Sequence, residues 1–256
     1  MTVVEDIARG RVLVVHAHPE PQSFTSSMFR AAQEVLLDSG HEVRTSDLYA
    51  KGFNPVASSA DFETREDPEY LVYAKEQRAG RIGGTLSPDI EEEVESVLWA
   101  DLVVLNFPIF WFSTPAILKG WIDRVFLSGQ FYGGMRFYDR GGLKGKRAWV
   151  TATLGGRPHM FGKDAVHDEI DIMLTHLLRG TLAYVGFEVL EPFFGYHVPY
   201  ISEKERAELL ARFEQDVRNW QTRQTLSFRS LDEFDEHLYP LAPEQAARDR
   251  SNRRKP

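Results

Sequence analysis

The sequence predicts an α/β protein of the doubly wound class, with five parallel strands covered by helices on both faces. Short apolar runs alternate with longer amphipathic helical patterns five times along 256 residues. The runs are apolar almost without interruption, as strands buried on both faces are. Each helical pattern is long enough to serve as a crossover between parallel strands.

The elements follow in order. "RVLVVHA" (11–17) is the first strand. "SMFRAAQEVLLDSG" (27–40) carries Met28, Ala31, Ala32, Val35 and Leu36 at helical spacing, and Gly40 stands where a C′ glycine belongs. "HEVRTSDL" (41–48) reads as the second strand, and "DIEEEVESVLWA" (89–100) as a helix whose acidic first turn suits its dipole. "DLVVLNFPIF" (101–110) is the third strand. "TPAILKGWIDRVF" (114–126) opens with Thr then Pro, an N-cap and N1 pair. "KRAWVTATL" (146–154) is the fourth strand, 164–186 a long helix, "FEVLEPFF" (187–194) the fifth strand and 203–220 a last amphipathic helix. Five such units make a flavodoxin-like arrangement the natural expectation. Residues 1–220 are expected to form this domain, with 221–256 a C-terminal extension whose "RDRSNRRKP" end is disordered. The stretches 49–88 and 127–146 read as irregular, and loops of that size are usually functional.

Composition narrows the chemistry. The hydrophobic fraction of 43% suits an ordinary globular core. A net charge of −8 argues against a nucleic-acid partner. The absence of cysteine removes disulfides, thiolate metal sites and thiol nucleophiles. No signal-length apolar run opens the chain and none of spanning length follows, so the expectation is a cytoplasmic protein without membrane insertion.

The strand ends hold the polar and aromatic residues. At and just past the end of the first strand lie His16, His18, Glu20, Ser23, Thr25, Ser26 and Ser27. A metal site there would need further acidic or histidine ligands at later strand ends, and "NFPIFWF" and "TATLGG" supply none. A phosphate cradle is the second reading, because the loop leads into a helix N-terminus. The third is that Ser23 or Thr25 merely caps the helix. After the third strand come Phe107, Pro108, Ile109, Phe110, Trp111 and Phe112. This is either a core plug or dimer contact, or a wall for a flat aromatic cofactor. After the fourth, Thr153, Gly155 and Gly156 form either a turn or a close backbone approach to a ligand edge. Three converging loops, one for phosphate, one aromatic and one glycine-rich, make flavin the best single ligand.

The stretches "AHPEPQSF", "SDLYAKGFNPVAS", "LSPDI", "ADLVVLNFPIFWFSTPAILKGWIDRVF" and "GFEVLEP" resemble the NAD(P)H:quinone oxidoreductases of the DT-diaphorase type, over about residues 11 to 240. The resemblance implies a flavodoxin-like flavoprotein that passes two electrons as hydride from NAD(P)H through flavin N5 to a quinone, by a ping-pong mechanism. Within the resembled family, the length implies the long, FAD-binding branch rather than the short FMN proteins. His18, Ser23, Phe24 and Thr25 would hold the pyrophosphate, and Pro108, Ile109, Phe110, Trp111 and Phe112 would run beside the isoalloxazine. Thr153, Gly155 and Gly156 would face its N1–C2 edge, and Asp123 stands where the family has an acidic flavin contact. A homodimer with shared sites is implied, with Tyr132 lent to the partner's substrate pocket. Trp111, Phe112, Phe161 and His167 would line that pocket. Mammalian members place a Tyr before a His after the fourth strand, a pair credited with stabilising the reduced flavin. His167 matches the histidine, but Phe161 stands at the tyrosine and has no hydroxyl. His159 is either a substitute or plain surface. The alternative function is an ancillary flavoprotein of a membrane transport partner, or a one-electron carrier.

Overall fold

A computed structural model describes residues 9–242. Strands β1 (Arg11–His16), β2 (Glu42–Asp47), β3 (Leu102–Pro108), β4 (Arg147–Thr153) and β5 (Glu188–Val189) form a parallel sheet in the order β2-β1-β3-β4-β5. A sixth, β6 (Phe193–Gly195), also pairs with β4. This is the doubly wound order, with its switch point between β1 and β3. The expected fifth strand is therefore two short ones. Pro192 has no N–H for the ladder, and Glu191 N–H turns away to the Gln224 carbonyl.

Side-chain alternation sorts the core into two layers. Val12, Val14, Leu102, Val104 and Trp149 face α1 (Phe24–Asp38) and α7 (Glu203–Arg218), through Met28, Val35, Phe213 and Val217. Leu13, Val15, Val103, Leu105 and Val150 face α3 (Pro88–Trp99) and α4 (Ala116–Val125), through Val94, Val97, Trp121 and Val125. Gly40 has φ +81°, as its C′ position requires.

Four sequence expectations are corrected. Helix α1 starts at Phe24 instead of residue 27, so Thr25 and Ser26 lie in its first turn. Helix α4 has Pro115, not Thr114, at its cap position. Helix α2 (Tyr73–Gly83) lies within the stretch read as irregular. Its buried residues are Glu76, Gln77 and Gly80, so hydrophobic periodicity does not reveal it. Glu76 instead accepts the Glu66 and Asp67 N–H groups, and Gln77 bonds the Asp123 carbonyl and Ser128 N–H.

The long helix expected over 164–186 is broken. Gly162 N–H bonds the Asp168 carbonyl and His167 N–H the Met160 carbonyl, which folds 160–169 into a compact loop. Helical turns α5 (Ile170–Met173) and α6 (Thr175–Leu177) and a π-helical turn over 178–183 follow. Beyond α7, Leu226 and Phe228 pack on the core and Leu231 is buried. The "RDRSNRRKP" end lies outside the described residues. Among those residues no helix is long and apolar enough to cross a membrane.

Candidate active site

The carboxyl ends of β1, β3 and β4 bring three loops together. Ser23 is the N-cap of α1, its Oγ accepting the Ser26 N–H at 3.0 Å. The Phe24 and Thr25 N–H groups have no protein partner among the described residues, and they stand at the positive end of the helix dipole. Thr25 is buried, and its hydroxyl pairs with that of Thr153 at 2.7 Å, which ties the first loop to the end of β4. His18 Nδ1 accepts the Glu20 N–H at 3.0 Å. Burial holds the His18 imidazole below its ordinary pKa, so it is neutral near pH 7. The Glu20 carboxylate is occupied locally, accepting the Gln22 N–H at 2.8 Å from an exposed position.

After β3, Phe110 and Ser113 exchange backbone hydrogen bonds of 3.0 and 2.9 Å across Trp111 and Phe112. Those two residues have φ +51° and +54°, the left-handed pair of a type I′ turn. Side chains in that region cost about 1–2 kcal/mol each, and such strain concentrates at functional sites. The turn holds Trp111 out with 96% of its surface exposed. Its base is latched by His176, whose Nδ1–H donates to the Met173 carbonyl and whose Nε2 accepts the Ser113 hydroxyl at 3.0 Å.

The compact loop after β4 carries Phe161 and His167 back over Gly155 and Gly156. The Phe161 and His167 rings lie 5.1 Å apart, and His167 lies 5.3 Å from Phe112. A Cβ on Gly156 would sit 2.7 Å from the Phe161 ring, so only glycine admits this closure. Together Ile109, Trp111, Phe112, Gly155, Phe161 and His167 line a cavity of about 350 Å³ floored by Ile170, Met173 and Leu174. The Gly155 and Gly156 N–H groups have no protein partner among the described residues.

A second hollow of about 1140 Å³ adjoins the first along the same loop. It is lined by Arg157, His159, Tyr196, His197 and Arg212, with Glu205 and Glu208 at its edge. His197 Nδ1–H donates to the Gly155 carbonyl at 2.8 Å and so joins the two spaces. On α7, Arg206 Nε is buried without a hydrogen-bond partner.

The structure thus brings Thr25, in the first turn after His18, Ser23 and Phe24, against Thr153 at the end of β4, and sets Ile109, Trp111, Phe112, Gly155, Gly156, Phe161 and His167 around the cavity. Pro108 ends β3, and its neighbour Ile109 N–H bonds the Thr153 carbonyl. Two residues lie elsewhere. Asp123 is exposed on α4 and pairs with Lys119 at 2.6 Å. Tyr132 packs against Tyr184, at 5.7 Å between rings, away from this chain's own cavity. His159 is exposed in the second hollow. Sequence reasoning missed His176, His197, Tyr196 and Ile170, because each acts through a long-range approach that no local spacing announces.

The pattern of a family model described as a flavodoxin-like fold matches residues 10–219. Ribosyldihydronicotinamide dehydrogenase [quinone] of Mus musculus is 40% identical over 214 residues, 83% of this chain and 93% of that protein. NAD(P)H dehydrogenase [quinone] 1 of Cavia porcellus is 38% identical, over 89% of this chain and 83% of that protein. A candidate quinone reductase from Klebsiella pneumoniae superposes with a TM-score of 0.86 at 33% identity, covering 90% of this chain and 93% of its own.

Proposed function

The chain belongs to the flavodoxin-like family that includes the NAD(P)H and ribosyldihydronicotinamide quinone dehydrogenases, and on that premise we propose that it is an FAD-dependent NAD(P)H:quinone oxidoreductase acting as a homodimer. One observation carries the reading. The cavity beyond the ends of β3 and β4 has aromatic walls and unpartnered Gly155 and Gly156 N–H groups on one side, and the Thr25–Thr153 hydroxyl pair ties the free N–H end of α1 to the end of β4. A flat ring with a polar edge and a phosphate tail fits that combination. The adjoining hollow, lined by Arg157, His159 and Arg212 together with Glu205 and Glu208, offers room for a second nucleotide half, which favours FAD over FMN.

When bound, a flavin would supply the redox chemistry that links NAD(P)H to a quinone in separate half-reactions. The chain's residues do the rest. Phe24 and Thr25 N–H groups, Ser23 and His18 bind the phosphates. Trp111 and Phe112 stack and exclude water. Gly155 and Gly156 N–H groups oppose negative charge developing at the ring edge, as an oxyanion hole does. His167 presents a polar ring to the same cavity, a role Phe161 cannot share. The exposed aromatic turn at 110–113 and the position of Tyr132 favour a site completed by a second copy.

The test is direct. The purified protein is expected to be yellow and to release FAD, and to oxidise NADH faster when a soluble benzoquinone is added. Release of FMN alone removes the FAD assignment. A colourless protein without benzoquinone-dependent oxidation removes the whole reading.

A further inference from the structure

His16, the last residue of β1, is 1% exposed. Its Nδ1 lies 2.7 Å from Asn106 Oδ1 and its Nε2 lies 3.1 Å from Ser26 Oγ. Its ring stacks on Phe29, with 4.5 Å between centroids. Asn106 donates from Nδ2 to Thr151 Oγ1 at 3.1 Å. A polar row therefore crosses the ends of β1, β3 and β4 and stops at the first turn of α1.

Its protons can be counted. With Nδ2 committed to Thr151, the Asn106 Oδ1 is an acceptor, so His16 Nδ1 carries hydrogen. Ser26 Oγ has one hydrogen, lies 2.8 Å from the Glu20 carbonyl and receives the Ser23 hydroxyl at 2.9 Å. When that hydrogen goes to Glu20, His16 Nε2 must also be protonated to complete the row. A neutral His16 takes the hydrogen instead and leaves the Glu20 carbonyl with the Ser23 N–H. The proton on Nε2 thus selects how the 18–23 loop is held.

We infer that His16 is a proton-binding positioning residue of the cofactor phosphate site, and that seating a phosphorylated cofactor on this loop is accompanied by proton uptake at Nε2. The inference rests on the functional reading above. Asp47, the register partner of His16 on β2, favours the imidazolium, while His18 opposes it. From β3 and α1 the ring meets only the neutral Asn106, Ser26 and Phe29. In the free protein burial dominates and holds His16 below the ordinary histidine value. Phosphate at the α1 N-terminus adds negative charge beside Ser26 and raises it. The bound form then has the higher pKa. Binding tightens as pH falls through the interval between bound and free values, and is independent of pH above both.

The experiment titrates the deflavinated full-length chain with FAD by calorimetry, in two buffers of different ionisation enthalpy, at about pH 6, 7 and 8. The expected result is a buffer-dependent heat that reports proton uptake. Affinity then rises toward about tenfold per pH unit as uptake nears one proton. His16→Gln is expected to abolish the uptake. Equal heats in both buffers at every pH overturn the inference, and the unsubstituted protein suffices for that. An inverted Asn106 amide serving a neutral His16 gives this same overturning result. Uptake that persists in H16Q also overturns it. FAD binding without uptake removes this inference only, whereas no FAD binding removes the functional reading with it.

Discussion

The hydroxyls of Thr25 and Thr153, 128 positions apart in the chain, meet at 2.7 Å where the first turn of α1 touches the end of β4. Both residues are buried. Replacing either by Val strands the other hydroxyl, at a cost of about 1–3 kcal/mol. Replacing both removes the need for a partner, so the double variant is expected to recover most of that loss. Urea midpoints of the four proteins check the coupling, and simple additivity would show that the pair does not act as a unit.

Ser23→Glu places a carboxylate at the α1 N-cap, beside the free Phe24 and Thr25 N–H groups. A helix dipole tolerates that charge, so the fold is expected to survive. A bound pyrophosphate does not, so the variant is expected to purify without flavin. Far-ultraviolet circular dichroism and the ratio of 450 to 280 nm absorbance (about those wavelengths) report fold and cofactor separately. Full flavin content would show that the phosphates do not sit at this cap.

Phe161 adjoins His167 but donates no hydrogen bond. If a hydroxyl there helps hold negative charge at the ring edge, Phe161→Tyr is expected to speed flavin reduction by NAD(P)H. A hydrogen bond to a charged group is worth about 1.5–3 kcal/mol, and partial expression in the transition state gives a rise of a few-fold to about tenfold. His167→Ala is expected to slow the same step. Stopped-flow reduction measures both. Changes below about twofold in each would assign the charge stabilisation to the Gly155 and Gly156 backbone.

Arg124 and Asp61 form a buried ion pair at 3.0 Å beneath the segment after β2, joined by Asp89 at 2.6 Å and by the Tyr73 hydroxyl. Arg124→Met leaves Asp61 buried without its cation and is expected to cost about 3–5 kcal/mol, read from chemical denaturation. Burial alone would raise the Asp89 carboxyl, but hydrogen bonds from Arg124 and Ser87 hold it below its ordinary 3.8. Its stabilising contribution is therefore complete above that value and disappears as pH falls through the lower, folded value. Asp89→Asn is expected to flatten the acid limb of a stability–pH profile. An unchanged limb would place acid sensitivity at other carboxylates.

The site is expected to be completed by a second copy, with Tyr132 reaching the partner's pocket. Light scattering at micromolar protein is expected to give a dimer. Tyr132→Phe is expected to raise the KM for quinone with little change in flavin content. A fully active monomer would refute the shared site.

The amino-acid sequence by itself determined the doubly wound class and the three strand-end loops. Strands such as "VLVV" and "LVVL" and the apolar faces of α1 and α4 are local patterns, because burial on both faces or on one stripe imposes a period on neighbouring residues. It also marked the residues now found around the cavity, since histidine, hydroxyl, aromatic and glycine side chains stand out just past apolar runs. Tertiary structure alone decided the rest. Helix α2 buries Glu76 and Gln77 against distant backbone groups, so its inward face carries no hydrophobic signal. The 164–169 segment reads as helix, yet hydrogen bonds to 160–162 curl it into the loop that sets His167 beside Phe161. Asp123 turned to Lys119, and His176 and His197 found the Ser113 hydroxyl and the Gly155 carbonyl far along the chain. Local propensity sets periodicity, but a buried polar group is satisfied by whichever donor or acceptor the packed sheet brings within about 3 Å, and that partner is fixed only when the layers close.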